Sequence, residues 1–530
     1  MNMSDISIIY KNHSHTLENL EFNEPEYFAD LYLDQIIDHI TERWNEYNLK
    51  PFFYFPLQSI DEIHYRQNVF GDLENEQTYK QINEFARQMQ IVKDYLKKVD
   101  EFYYSQQKEI WFLYATEVYC NAVKNFNDEL SSLPLKSEGL NKVKDYLIEY
   151  CTKEYFISLE NKIKNIKAEL AEVKYQIIIQ EGKFTVQPYE TGVDYSKEIK
   201  KEFEKFNSCK QNNQNGIKAY KSDDKSSANR MNHIDAKILE FVSNIYPNVF
   251  SDLQNFYSTY GKRIDAENSL PSFVDETIAK FDREIHFYIS YIEHIKKFQQ
   301  TGLKFCYPVI SNPSKEIYNY DGFDLALAQK LHYEKEQIVC NDFYLKDRET
   351  IIIVTGPNQG GKTIFARMFG QLHYLASIGC PVPGSKAKLY LQDNIYTQFE
   401  RVEKVENLRG KLENDLTRIY SVLSKATSQS IIIMNEIFNS TTLNDMTFLS
   451  SKVLEKIMEI DVICVWVTFV DELTNYNGKI VSMTSVTDPK NTAIRTYKIL
   501  RRSADGLAYA MAIAEKHRLK YDDIKERIKQ

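Results

Sequence analysis

The sequence predicts a mainly α-helical region followed, from about residue 305, by an α/β domain with a largely parallel sheet. Through much of the first 300 residues, apolar side chains recur every three or four positions, which is the spacing of an amphipathic helix. After residue 305, short β-branched runs such as Ile351–Val354 and Ile431–Met434 alternate with helical segments. Glycine and proline number 17 and 13 in 530 residues, so few helix breakers interrupt the chain.

The N-terminal part divides into a helical segment, residues 1–75, and a longer helical region, residues 76–304. From Gln77 to about Leu130 the apolar stripe predicts one long amphipathic helix, and a second stripe runs from Leu159 to Val173. Helical periodicity returns from Ile234 to about Gln300. We interpret the stripes as packing between helices, with a partner-binding coiled coil as the alternative.

Two features interrupt the helical region. Alternating residues near 175–187, around a turn at Glu181-Gly182, predict a β-hairpin. Residues 207–233 are rich in Asn, Lys, Ser and Asp and predict an exposed loop. A solvated loop is the simpler interpretation, and contact with a DNA backbone through its lysines is the alternative.

Composition excludes several classes of protein. The net charge of -9 gives no global attraction to nucleic acid, although a local basic patch can still bind phosphate. The seven cysteines are scattered without a C-x-x-C pair, which indicates reduced thiols in a cytosolic protein. The N-terminus lacks the pattern of a signal peptide, and no apolar run approaches the ~20 residues of a membrane helix. We therefore expect a soluble cytoplasmic protein without a membrane partner.

A phosphate-binding motif opens the α/β domain. The segment Gly356-Pro-Asn-Gln-Gly-Gly-Lys-Thr fits the P-loop pattern G-x-x-x-x-G-K-[ST] between a strand and a helix beginning near Thr363. Backbone N–H groups of such a loop converge on phosphate oxygens, the lysine contacts the β- and γ-phosphates, and the hydroxyl ligates Mg²⁺. The predicted nucleotide-binding residues are Gly356, Pro357, Asn358, Gln359, Gly360, Gly361, Lys362 and Thr363.

A second polar pair follows the strand Ile431–Met434. Glu436 stands where a carboxylate can orient or deprotonate an attacking water, and Lys362 and Glu436 are our candidate catalytic residues. Asn435 precedes it, where an aspartate would normally hold the metal. A neutral amide is a weaker ligand, so we expect Thr363 and Asn435 to bind Mg²⁺ weakly. A strand-end surface acid is the alternative interpretation of Glu436.

Together these motifs resemble the ATPase domain of the MutS family of DNA mismatch-repair proteins. Thr355–Thr363 is similar to that family's TGPNMGGKS P-loop, Asn435–Asp445 to its DEIGRGTSTYD segment, and Thr468–Leu473 to its THxxEL switch. The run Tyr497-Lys-Ile-Leu, followed by Leu507-Ala-Tyr-Ala and Ala512-Ile-Ala, resembles its YKL…SYGI…A ending. The resemblance covers about residues 305–525.

The resemblance implies an α/β P-loop ATPase domain of the ABC type at residues 305–530, preceded by a mainly α-helical lever and clamp region that reaches around DNA. It implies ATP and Mg²⁺ as cofactors, and it puts Asn341, with Ile338 before it, on the loop beside the adenine. Its implied partners are double-stranded or branched DNA and a second chain, either a homodimer copy or another MutS-like protein. In a bacterium the cytoplasmic protein would associate with the nucleoid.

Departures from the family pattern lead us to expect slow hydrolysis. The switch histidine is Phe469 here, and the serine of the signature segment, which is contributed across the dimer, is Gly410. Lost donors around a transition state commonly lower a rate by about 10²–10³. Because helical sequence starts early, we expect no mismatch-reading domain with a Phe-x-Glu wedge before the lever, and we expect no nuclease domain after Gln530.

Three functions stay open at this point. The first is a MutS-like ATPase that dimerises on ATP and clamps DNA in repair or recombination, with Asp445 at the dimer seam. The second is a nucleotide-switched scaffold that binds ATP with little or no hydrolysis, which Asn435, Phe469 and Gly410 favour. The third is a transporter-type or SMC-type ABC ATPase, which the missing LSGGQ signature disfavours.

Overall fold

The computed structural model describes ten stretches of the chain: residues 6–11, 24–181, 183–189, 231–262, 271–399, 410–476, 478–488, 494–503, 521 and 524–525. The chain forms two compact units. The first comprises Met1–Asn75, Leu135–Asn141 and Arg283–Gln530, and the second comprises Glu76–Pro134 and Lys142–Asp282. Of the predicted features, loop residues 207–230, Gly182 and Leu507–Ala514 lie outside the described residues.

Short helices open the first unit. They are α1 (Tyr27–Leu31), α2 (Leu33–Thr41), a 3₁₀ helix (Glu42–Tyr47), α3 (Lys50–Tyr54) and α4 (Ile60–Leu73). Their apolar faces are buried, and Phe28, Phe52 and Phe53 are fully inaccessible. These helices therefore belong to the core of the first unit rather than to its surface.

An N-terminal strap, Ser7–Tyr10, is buried in the same unit. Its polar atoms are bound by side chains of Tyr65, Tyr288, Arg66 and Glu284. The Arg66 guanidinium also donates to the carbonyl of Ile378, 2.9 Å away, just past the helix that follows the P-loop. A cation at a helix C-terminus interacts favourably with the helix dipole. The buried Arg66 guanidinium therefore stabilises both the strap and the C-terminal end of this helix.

The helical region contains α5 (Glu76–Glu101), α6 (Ser105–Ser132), α7 (Glu138–Thr152), α8 (Glu154–Glu172), β1 (Tyr175–Gln180), β2 (Lys183–Pro188), α9 (His233–Ile245), α10 (Pro247–Tyr260) and α11 (Glu276–Gln299). The prediction of one long helix from Gln77 to Leu130 is wrong, because the chain turns at residues 102–104. The two helices pack side by side, with Phe85 stacked on Phe126 and Tyr95 against Trp111. Strands β1 and β2 form an antiparallel hairpin where the alternation predicts one.

The rest of the first unit is an α/β arrangement. Its elements are β3 (Phe305–Cys306), β4 (Val309–Ser311), β5 (Ile317–Gly322), α12 (Leu325–Glu334), β6 (Asn341–Leu345), β7 (Ile351–Thr355), α13 (Lys362–Ser377), β8 (Val382–Pro383), β9 (Lys386–Tyr390), β10 (Ile395–Gln398), α14 (Lys411–Lys425), β11 (Ile431–Asn435), α15 (Leu443–Ile460), β12 (Ile463–Val467), a 3₁₀ helix (Asp471–Asn475), β13 (Ile480–Thr487) and β14 (Arg495–Arg501).

A six-stranded sheet in the order β10-β11-β12-β7-β13-β14 forms its centre. All neighbours are parallel except β13 and β14, which form an antiparallel hairpin at one edge. The three central strands β11, β12 and β7 are buried along their whole length, as expected for parallel strands covered on both faces. A smaller sheet has the order β4-β9-β5-β6.

No helix within the described stretches is long and apolar enough to cross a lipid bilayer.

Candidate nucleotide-binding site

The P-loop leaves the carboxyl end of β7 and enters α13. Gly356 and Gly361 have φ angles of 112° and 89°, in the left-handed region that favours glycine. Gly361 is the N-terminal cap of α13, so the first N–H groups of that helix have no partner within it. The loop therefore has the backbone shape that a helix N-terminus needs to receive an anion.

Lys362 is buried at the centre of the loop, with 4% of its surface exposed. Its ammonium donates to the carbonyls of Gly356, at 3.0 Å, and Pro357, at 3.1 Å. It lies 3.6 Å from a carboxylate oxygen of Glu436 and 4.5 Å from the centre of the Phe469 ring. Burial lowers the pKa of Lys362, while the nearby Glu436 carboxylate opposes that shift. A phosphate that reaches Lys362 must therefore compete with Glu436.

The side chains proposed to hold the metal lie next to each other. The Thr363 hydroxyl donates to the Asn435 amide oxygen over 2.9 Å, which joins the start of α13 to the end of β11. Glu436 follows with a φ of 51°, and its N–H donates to the carbonyl of Val467 on β12. This turn directs the chain out of the sheet beside the loop.

The residues fit a weakly held magnesium ion. Mg²⁺ prefers oxygen ligands and commonly takes one or two from protein, the remainder coming from water and phosphate. Thr363 and Asn435 supply a hydroxyl and a neutral amide oxygen, 2.9 Å apart. Among the residues that the structure describes, no cluster of three His, Cys, Asp or Glu side chains could hold a metal alone. A magnesium ion at these two ligands would need phosphate oxygens and water to complete its coordination.

The two residues proposed for the adenine lie on the segment before β7. Ile338 is half-buried in the loop after α12. Asn341 begins β6, and its amide joins two strands: Nδ2 donates to the carbonyl of Tyr497, and Oδ1 accepts from the N–H of Ile499. The Asn341 side chain thus fixes β6 against β14, and its contact with a base stays a prediction.

Two residues proposed to act across a dimer seam are at the surface. Gly410 is exposed and caps the N-terminus of α14. Asp445 is exposed in the first turn of α15, where its carboxylate accepts from the hydroxyl of Thr442 at 2.9 Å. Their role toward a second chain stays a prediction.

Sequence reasoning missed two contacts to the loop. The Ser485 hydroxyl on β13 donates to the carbonyl of Gly360 at 2.7 Å, and Arg495 Nε on β14 donates to the carbonyl of Asn358 at 3.1 Å. Neither residue belongs to a recognisable motif. The glycine at position 360 is the one sequence signal, because a Cβ there would lie 2.2 Å from Ser485 Oγ.

The strand–P-loop–helix arrangement at the carboxyl end of a central parallel strand defines a P-loop nucleotide-binding domain. Residues 352–526 match the family model described as MutS domain V. Over 200 residues, or 37% of this chain, the sequence is 28% identical to the DNA mismatch repair protein MutS of Caldanaerobacter subterraneus subsp. tengcongensis. That match covers 23% of the relative, so it spans about a quarter of the relative's length. The predicted likeness to the MutS family is confirmed for this region of the chain.

Proposed function

We propose that the chain is a MutS-like protein that binds ATP and Mg²⁺, binds DNA, and uses nucleotide to close a dimeric clamp in repair or recombination. One observation carries the proposal. A domain matching MutS domain V brings the P-loop pair Lys362 and Thr363 against the strand-end pair Asn435 and Glu436. The match to MutS domain V supports our assignment of an ABC-type ATPase fold to the C-terminal region. The helices of region 76–304 support its assignment as a lever and clamp.

The side chains divide the work of hydrolysis. Lys362 leaves Glu436 and binds the phosphates, which frees that carboxylate to orient or deprotonate a water. Thr363 and Asn435 would hold a metal ion, which would supply neutralisation of the phosphate charge. Because Asn435 carries no charge, hydrolysis is slow. The residues proposed for the adenine are Ile338 and Asn341.

Steady-state ATP hydrolysis of the purified chain, with and without double-stranded DNA, tests this function. Lys362→Ala is the blank, and Lys456→Ala, on the exposed face of α15, is the matched control for loss of a lysine. We expect turnover above the blank that changes when DNA is added, and unchanged turnover in the control. Turnover equal to the blank under both conditions would contradict a DNA-coupled ATPase.

A nucleotide-switched scaffold is the second candidate function. The neutral Asn435 and the Phe469 ring beside Lys362 favour it, since Asn435 brings no charge to a metal ion and Phe469 no hydrogen-bond donor to a transition state. A scaffold would bind ATP and change its oligomeric state without releasing phosphate. Sedimentation with ATP, ADP or no nucleotide separates the two functions, because only the ATPase returns to its starting state as ATP is consumed.

The DNA part of the proposal is tested on the polar loop. Reversing the charge of Lys218, Lys221 and Lys225 should weaken DNA binding and reduce the slope of its salt dependence by about 0.9 for each lost phosphate contact. Lys237 and Lys452 are exposed, paired surface lysines suited to matched charge reversals. An unchanged salt slope in the loop variant would remove this loop from the proposed interface.

A further inference from the structure

The β13–β14 hairpin contacts the P-loop at two backbone carbonyls. Ser485 Oγ donates to Gly360 at 2.7 Å, and Arg495 Nε donates to Asn358 at 3.1 Å. The hairpin is tied to the loop's own strand, because β13 pairs in parallel with β7 up to Thr484 and Thr355. The two donors are therefore carried on an element whose position relative to the loop is fixed.

Peptide geometry gives these contacts a consequence for the opposite side of the loop. In a planar trans peptide, the carbonyl of one residue and the N–H of the next point in opposite directions. Holding the carbonyls of Asn358 and Gly360 toward the hairpin turns the N–H groups of Gln359 and Gly361 away from it. N–H groups of a glycine-rich loop are the donors that bind phosphate oxygens.

Close packing of the P-loop glycines against the buried Ser485 fixes this contact. Ser485 is 0% exposed, and a Cβ on Gly356 would lie 3.0 Å from both its backbone N and its backbone O. A Cβ on Gly360 would lie 2.2 Å from its hydroxyl oxygen. Two glycines of the motif thus leave room for this one serine, and a larger residue at either place forces the loop off the strand.

Arg495 adds charge to the same loop. It is half-buried, and repulsion from its guanidinium adds a small contribution to the lowering of the Lys362 pKa, which burial dominates. Two like charges held near one loop favour a polyanion between or beside them. The arginine therefore serves both the orientation of the Asn358 peptide and the potential at the loop.

We infer that Ser485 and Arg495 are positioning residues of the phosphate site, which hold two P-loop peptides with their N–H groups directed to the nucleotide. This inference rests on the proposed nucleotide binding. It adds an edge hairpin outside the P-loop motif to the machinery that sets affinity for nucleotide. Neither side chain needs to touch the nucleotide itself.

Titration with a fluorescent ADP analogue in the presence of Mg²⁺ tests the inference. We expect Ser485→Ala to weaken binding about fivefold and Arg495→Gln about tenfold. Thr496→Val is the matched control, because the Thr496 hydroxyl donates to the carbonyl of Val486 within the same hairpin and not to the loop. Arg495→Lys, which keeps the charge and a donor, should recover most of the affinity lost in Arg495→Gln.

Thermal melting without nucleotide accompanies each titration. Affinity that falls in Ser485→Ala and Arg495→Gln, while Thr496→Val melts earlier yet binds as the original chain does, supports the inference. Equal losses of affinity in all three variants overturn it, because general loosening of the hairpin then accounts for the result. Unchanged affinity in Arg495→Gln also overturns it. If the original chain binds no better than Lys362→Ala, the proposed function fails, before any hairpin variant is compared, and the inference fails with it.

Discussion

Replacing Glu436 with Gln should tighten nucleotide binding while abolishing hydrolysis. The Glu436 carboxylate lies 3.6 Å from the Lys362 ammonium. A phosphate that binds Lys362 must therefore replace the carboxylate as the partner of the ammonium. The substitution removes this competitor and the repulsion between the carboxylate and the phosphates. It also removes the group proposed to prepare the water.

The size of the effect follows from the same distance. Two unit charges 3.6 Å apart interact by about 1 kcal/mol in water and about 5 kcal/mol at an effective dielectric constant of 20. The glutamate side chain is 23% exposed, and solvent at its open side favours the lower end of that range. A gain of about 1–2 kcal/mol corresponds to about 5- to 30-fold tighter binding.

The pH dependence of binding provides an independent readout. Burial lowers the pKa of Lys362 and Glu436 raises it, so Glu436→Gln should lower this pKa further. Protonated lysine is the form that binds phosphate. Affinity should therefore decline, as pH rises, at a lower pH in Glu436→Gln than in the original chain.

Equilibrium titration of the fluorescent ADP analogue across pH measures both effects, and phosphate release measures hydrolysis. Glu459→Gln is the charge-matched control, because Glu459 lies on the exposed face of α15 beside Lys456. Affinity that is unchanged or weaker in Glu436→Gln, in a chain whose Lys362→Ala variant has lost binding, would refute the competition between carboxylate and phosphate.

Three further substitutions test the site. Asn435→Asp puts a carboxylate beside the Thr363 hydroxyl and should lower the Mg²⁺ concentration for half-maximal turnover and raise the rate about tenfold; an unchanged zero rate would favour the scaffold. Phe469→His puts an imidazole donor in place of a ring whose centre lies 4.5 Å from the lysine ammonium, and should raise turnover at least tenfold, whereas Phe469→Leu should not; equal rates would contradict this role. Gly360→Ala puts a Cβ 2.2 Å from Ser485 Oγ and should lower stability by about 1–3 kcal/mol in denaturant unfolding, unlike Gly478→Ala, whose Cβ meets open space.

The parts of the fold that were predictable are those specified by local pattern. The apolar runs at 351–354 and 431–434 lie on buried central strands, as is typical of parallel strands covered on both faces. The break at residues 102–104 carries neither Gly nor Pro. Packing between the two helices, such as the stacking of Phe85 on Phe126, determines where the chain turns. The apolar periodicity of a single segment cannot reveal that packing.

The same distinction holds for the site. Lys362, Thr363, Asn435 and Glu436 lie in two motifs, and the carboxyl ends of neighbouring parallel strands meet at one edge of a sheet. Ser485 and Arg495 lie on strands without a motif. Their approach to the loop depends on the register of β13 with β7, which is fixed only when the sheet assembles.

The discontinuity of the first unit bears on how the protein is made. Its opening piece, Met1–Asn75, leaves the ribosome well before Arg283 and the remaining sheet, about two hundred residues later. At about 5–20 residues per second, synthesis of that interval takes about 10–40 s. Meanwhile Phe28, Phe52 and Phe53, which end fully buried, have only part of their final surroundings. The second, helical unit is synthesised completely before Arg283. The nascent chain then carries a complete helical unit, preceded by apolar helices that still lack their final neighbours. Chaperones can recognise such exposed apolar segments.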